Sequence, residues 1–165
     1  MGRQARRSNQ IIFKHSKEMG TISKNFSYHE FEHSDIAKEE RITNVITAVE
    51  IRDAIKSLVD NLLQPLRDAI KKPLKISSGY RCLKLNSHHI IGGSPTSQHV
   101  MGEAADVWCA TMTPYELACK VVELGLEYDQ MILYPGFLHL SFTNMRGNRM
   151  QILYNKSYKG QKIKL

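Results

Sequence analysis

Apolar positions from Ile46 to Ile70 fall on one helical stripe. Ile46, Val49, Ile55, Leu58, Leu62, Leu66 and Ile70 recur at three-, four- and six-residue spacings, which predicts a long amphipathic helix. Thr43 is the expected cap, Pro65 predicts a kink or a break into two helices, and Pro73 ends the run. Upstream, NFSYHEFEHSDIAKEE mixes aromatics with acids: Ser27 can cap one or two turns through Phe31, with Ser34 or Asp35 ending or restarting them. Leu74–Ser78 reads as a strand. Gly79–Ser97 reads as loop with a short helix near Leu83–Ile90. Ala104–Cys109 is then a buried strand, and Pro114 follows Thr113 as the first residue of a helix to Leu124, with Gly125 as its left-handed cap. Tyr128–Tyr134, Phe137–Phe142 and Met150–Asn155 are three further strands, on connections short enough for antiparallel neighbours. Helices followed by a mostly antiparallel sheet define an α+β domain.

Strand parity adds chemistry to this outline. In Ala104–Cys109, Asp106 shares a face with Ala104 and Trp108, while Ala105, Val107 and Cys109 take the other. In Phe137–Phe142, His139 sides with Phe137 and Ser141, opposite Leu138, Leu140 and Phe142. Each strand has an apolar side for packing and a side with one metal-capable group. If the strands are neighbours, Asp106 and His139 converge, and His99 arrives from the preceding loop through a turn that Gly102 would permit. Two histidines and a carboxylate leave a fourth tetrahedral position open, the pattern of a catalytic zinc. Singly, His139 reads as a core histidine and Asp106 as a capped loop residue; the matched faces favour the joint reading.

A literal HExxH at His29-Glu30-Phe31-Glu32-His33 competes for the metal. Such a motif needs a helix with an apolar back over several turns. Here Lys24, Asn25 and Ser27 precede it and Asp35 follows, so a short surface helix with Phe26 and Phe31 docked on the core is preferred.

Composition narrows the class. The chain has 165 residues, 42% hydrophobic and 24% charged, which suits one folded domain. No apolar run is long enough to span a membrane, and the cluster Ile11, Ile12, Phe13 is too short for a secretory leader. A cytoplasmic site of synthesis is therefore expected. Cys82, Cys109 and Cys119 suggest reduced thiols. The net charge of +7 is carried by the ends: residues 1–24 hold +5 and residues 156–165 hold +4, leaving −2 on the body. Basic ends are commonly solvated and mobile, and they can also steer a protein to a polyanion. A near-neutral body argues against nucleic acid as the partner.

The segment Ser97-x-His99-x-x-Gly102-x-Ala104-x-Asp106 resembles the SxHxxGxAxD zinc signature of the D-Ala-D-Ala carboxypeptidases and dipeptidases, whose zinc fold is shared with the Hedgehog signalling domain. Ser78-Gly79-Tyr80-Arg81, Asp129-Gln130 and FLHLSF resemble further elements of that group, and NFSYHEF with Pro65-Leu66-Arg67 resembles its small single-domain bacterial and phage members. The resemblance spans about Asn25 to Asn155. It implies one zinc held by His99, Asp106 and His139, and Arg81 steadying the scissile carbonyl oxygen. It further implies a peptidoglycan peptide cut at a D-amino-acid-containing bond, by a monomer that acts on the wall once released. On this reading 25–155 is the peptidase domain, between a basic arm (1–24) and a basic tail (156–165). Ser97 and Asp129 contact substrate or brace the loop and strand. Arg81 has an alternative as a structural ion pair, with Asp129 as the candidate partner.

One departure stands out. Related enzymes place an acid or a histidine just before the last zinc histidine, and the run Tyr134-Pro135-Gly136-Phe137-Leu138 has neither. Phe137 also replaces an expected tryptophan. Glu103 has the wrong strand parity, so the general base is unassigned, with Tyr134 as one possibility. A non-catalytic zinc-containing module that binds peptidoglycan or a partner is the alternative.

Overall fold

The computed structural model describes residues 20–164; most of the basic N-terminal arm, including Ile11–Phe13, lies outside them. The first helices are as short as their sequence implies. α1 (Tyr28–Glu32) opens on Ser27, whose backbone N–H donates to the Glu30 carboxylate at 2.8 Å, a capping-box contact. α2 (Asp35–Glu39) opens on Ser34, whose hydroxyl accepts from the Ala37 N–H. Phe26 and Phe31 are both buried in the main core.

The long helix begins later than the periodicity predicts. α3 spans Val49–Leu58, and residues 43–47 have no regular secondary structure. Tertiary hydrogen bonds hold them so. The Asn44 side chain donates to the carbonyls of Glu32 and Tyr80, and Ile46 N–H donates to the Glu32 carboxylate at 2.8 Å. Pro65 leaves its mark as a π-helical turn over Val59–Leu63, closed by the Gln64 N–H on the Val59 carbonyl, before α4 (Gln64–Ile70). The wider turn is one way to absorb the N–H that proline lacks. Leu58, Leu62 and Leu66 remain fully buried through it, each contributing roughly 1.5–3 kcal/mol by burial.

Among the described residues the strands form one five-stranded sheet: β1 (Lys75–Ser78), β2 (Ala104–Trp108), β3 (Gln130–Leu133), β4 (Leu138–Ser141) and β5 (Gln151–Tyr154). Their spatial order is β1-β2-β4-β3-β5. The first three pairings are antiparallel, but β5 runs parallel to β3. The expectation that all three late strands are antiparallel neighbours is thus corrected at β5. The segment after β4 crosses back over the end of β3, and the N–H groups of Met150 and Gln151 donate to the Tyr128 and Asp129 carbonyls.

One face of the sheet carries Ala105, Val107, Met131, Leu133, Leu138 and Leu140 into the core, and α6 (Pro114–Glu123) packs across β3 and β4. A reciprocal Thr113–Glu116 capping box opens α6, and Gly125 follows it at φ 62°. A single short turn, α5 (Leu83–Asn86), interrupts the loop after β1. The C-terminal tail keeps its lysines exposed but is not wholly solvated. Tyr158 and Ile163 pack against the core, and the Ile163 N–H donates to the Tyr154 hydroxyl at 2.8 Å.

Candidate metal centre and cleft

The other face of the sheet holds the polar groups. Asp106 on β2 pairs in register with His139 on β4, so the two side chains leave the same face side by side. His139 Nδ1 lies 2.8 Å from Asp106 Oδ1, and His99 Nε2 lies 3.3 Å from the same oxygen. All three residues are buried, with candidate ligand atoms within 4.8 Å of one another.

Two glycines bring His99 there. A Cβ on Gly102, at φ 73°, would meet the Ile51 carbonyl at 2.7 Å, so the turn between His99 and Asp106 both needs the left-handed backbone and presses onto α3. A Cβ on Gly79 would meet Phe31 Cα at 2.7 Å. The Gly79 carbonyl in turn accepts from His99 Nδ1 at 2.7 Å. That bond puts the proton on Nδ1 and leaves the Nε2 lone pair facing Asp106 and His139, the second partner a metal-ligating histidine usually has.

Protonation states favour a cation. Burial pushes the His99 pKa down, and this outweighs the pull of Asp106, so the ring is neutral near pH 7. Burial alone would raise the Asp106 carboxyl, but the electrostatic pull of the adjacent His99 and the hydrogen bond from His139 hold it well below the usual carboxylate range. A neutral imidazole and an ionised carboxylate with convergent lone pairs are the donor set zinc takes.

Arg81 stands on the far side of Asp106. Its Nη2 donates to Asp106 Oδ2 at 3.3 Å and its Nε to the Ser78 hydroxyl at 3.0 Å. The structural ion pair considered for Arg81 therefore exists, but with Asp106 rather than Asp129. Burial lowers the Arg81 pKa, with Asp106 opposing.

Asp129 is fully buried, at 0% exposure. Arg146 donates to it through Nη1 and Nη2 at 2.6 and 3.0 Å, Arg149 through Nη2 and its backbone N–H at 2.5 and 3.0 Å, and Gln98 through Nε2 at 3.0 Å. Burial would raise its carboxyl, but the two guanidinium groups hold it well below the normal range. Of the two roles open to Asp129, this geometry supplies bracing. Ser97 lines the cleft and its hydroxyl accepts from the His99 N–H at 3.4 Å, a position compatible with both of its roles.

The cleft over this face has a volume of about 910 Å³. His99, Asp106, His139 and Arg81 line it, with Tyr134 stacked on Phe137 at a ring separation of 4.3 Å. Among the described residues Asp35 is the other carboxylate in its lining. Glu103 is turned away, bonded to the Thr143 hydroxyl at 2.7 Å and to Gln98. The HExxH histidines are not brought together as ligands. Both are exposed, and His33 falls beyond α1 with Asp35 at 3.5 Å. Sequence reasoning missed Asp35, Arg146 and Arg149. Each sits in a polar surface stretch without a periodic signal.

The fold and the cleft define an α+β protein with a buried two-histidine, one-carboxylate cluster open to a peptide-sized groove. The model of the peptidase M15 family matches residues 24–141, and the chain belongs to that family of zinc peptidases. No curated protein matches it. Arg146 and Arg149 lie beyond the matched residues. Among the described residues no helix is long and apolar enough to cross a membrane.

Proposed function

We propose that the chain is a zinc metallopeptidase that hydrolyses peptidoglycan peptides at a D-amino-acid-containing bond, as a carboxypeptidase or an endopeptidase. The observation that carries this reading is the buried cluster of His99, Asp106 and His139 beside Arg81 in a cleft large enough for a peptide. His99, through Nε2, Asp106 and His139 hold one zinc ion. When bound, zinc supplies an activated water and polarises the scissile carbonyl.

The chain's own groups do the rest. Gly79 fixes the His99 tautomer through its carbonyl. Arg81 orients Asp106 through one arm and turns its remaining donors toward the cleft, where they stabilise the oxyanion that develops on the scissile carbonyl. Ser97 contacts the substrate backbone. Tyr134 and Asp35 are the cleft groups available to exchange protons with the reacting centre. The exposed lysines of the tail suit an anionic wall, and a phage lysin fits this combination. The acid-free run from Tyr134 to Leu138 favours a second reading, a zinc-containing module that binds wall peptides without cutting them.

Release of soluble fragments from purified peptidoglycan, with and without chelator, tests the proposal. Chelator-sensitive release restored by zinc is the expected result. Binding to the wall without release would favour the non-catalytic module.

A further inference from the structure

Arg149 is not consumed by its partner. It donates to Asp129 through Nε, Nη2 and its backbone N–H, yet among the described residues its Nη1 has no hydrogen-bond partner. Its side chain is 46% exposed and lines the same cleft as the metal cluster. Arg146, on the same carboxylate, does not line the cleft. One carboxylate thus serves two guanidinium groups. Glu103 acts on both through space, but its own oxygens are committed to Thr143 and Gln98. A guanidinium locked by a buried acid and left with a free N–H edge is preorganised for an anionic oxygen.

The register sets how far this group lies from the metal cluster. Ile132 pairs with His139. Asp129, which holds Arg149, is three residues before Ile132. At about 3.4 Å per residue the Asp129 backbone lies roughly 10 Å along the sheet from the position paired with His139, and the Arg149 head is bonded to the Asp129 carboxylate. An extended peptide advances about 3.3–3.6 Å per residue, so that distance is about three residues.

Resting on the peptidase reading above, we infer that Arg149 anchors a substrate carboxylate about three residues from the scissile bond, making the cleft selective for acidic peptides. Two sources of that carboxylate exist in a wall stem peptide: the free α-carboxylate of its γ-linked glutamyl residue, and the C-terminus. The spacing favours the glutamyl group, because the C-terminus of a peptide cut at its last bond is only one residue away.

Calorimetric binding of three synthetic stem pentapeptides to the full chain, with zinc removed so that turnover does not intrude, tests this. One peptide has both carboxylates free, one has the glutamyl carboxylate amidated, and one has the C-terminus amidated. Amidation of the anchored group should weaken wild-type binding about tenfold or more, the scale of a charge-assisted hydrogen bond. In Arg149→Gln the ratio between free and amidated peptides should fall toward one. Arg146→Gln loses a similar contact to Asp129 and should keep the ratio, which separates recognition from damage to the brace. An Arg149-dependent loss with the glutamyl amide supports the anchor, whereas an Arg149-dependent loss with the C-terminal amide alone overturns the three-residue placement. Wild-type binding that ignores both amides, fails for all three peptides, or keeps its discrimination in Arg149→Gln overturns it. Discrimination by a zinc-loaded protein that releases nothing from peptidoglycan would leave the anchor standing and remove the peptidase reading.

Discussion

Asp106 and Asp129 are both buried carboxylates, each held by three nitrogen-bearing side chains, yet their chemistry is opposite. The partners of Asp106 include two histidines, which can be neutral and offer lone pairs. Those of Asp129 are the Gln98 amide and two arginines, which remain protonated and only donate. Around Asp106 the geometry leaves unshared electron pairs converging on one point, which invites a cation. Around Asp129 every carboxylate oxygen already accepts from a fixed cation, so that group is saturated and structural. Burial of an acid does not by itself mark a reactive site. What decides is whether its partners can give up a proton.

The largest expected effect tests the Asp106 side. His99→Ala or His139→Ala should abolish zinc retention, read by metal analysis after dialysis, whereas a His29→Ala, His33→Ala double variant should retain the metal. Full occupancy in His139→Ala would break the assignment. Next is Arg81, which touches Asp106 but not the metal-facing oxygen. Arg81→Ala should lower kcat by about 10²–10³-fold at saturating zinc and weaken zinc affinity by about 10–100-fold. Arg81→Lys should recover little, since a lysine cannot brace Asp106 and Ser78 together. A fall in melting temperature with unchanged kcat would make Arg81 purely structural.

Asp129 should show itself in stability instead. Removing one partner of a buried ion pair costs about 3–5 kcal/mol, but the arginines here are about half exposed and regain water, so about 2 kcal/mol is expected for Asp129→Asn. That corresponds to a fall of about 4–8 °C in Tm, with zinc content unchanged. Loss of zinc in this variant would show that the two clusters are one unit, coupled through Gln98. The smallest effect is the pH dependence of the same group. Because the folded carboxyl lies below its unfolded value, its contribution is present above about pH 4 and is lost as pH falls further. Arg146, Arg149 and the neutral Gln98 are the groups that face it, and none of them titrates in that range. Wild type should therefore lose stability more steeply than Asp129→Asn below about pH 4, and parallel acid curves for the two would contradict the ion-pair account.

Much of the candidate site was legible because its signals are local. Alternation along Ala104–Cys109 and Phe137–Phe142 assigns Asp106 and His139 to the face opposite the core, and caps at Ser27, Ser34 and Thr113 mark helix starts by hydrogen bonds that reach only three residues. Family membership was likewise legible in the zinc signature, which the match over residues 24–141 bears out. The helix start was misplaced because Thr43–Thr47 carries a helix-compatible pattern but spends its polar groups on Glu32 and Tyr80, distant in sequence. Thus the sequence alone determined the element types, the faces of the strands and the metal-capable residues, since periodicity and capping act within a few positions. Tertiary structure alone decided the strand order, the parallel return of β5, the pairing of Arg81 with Asp106, and the Asp129–Arg146–Arg149 cluster, because those depend on which distant segments meet and no local pattern encodes that.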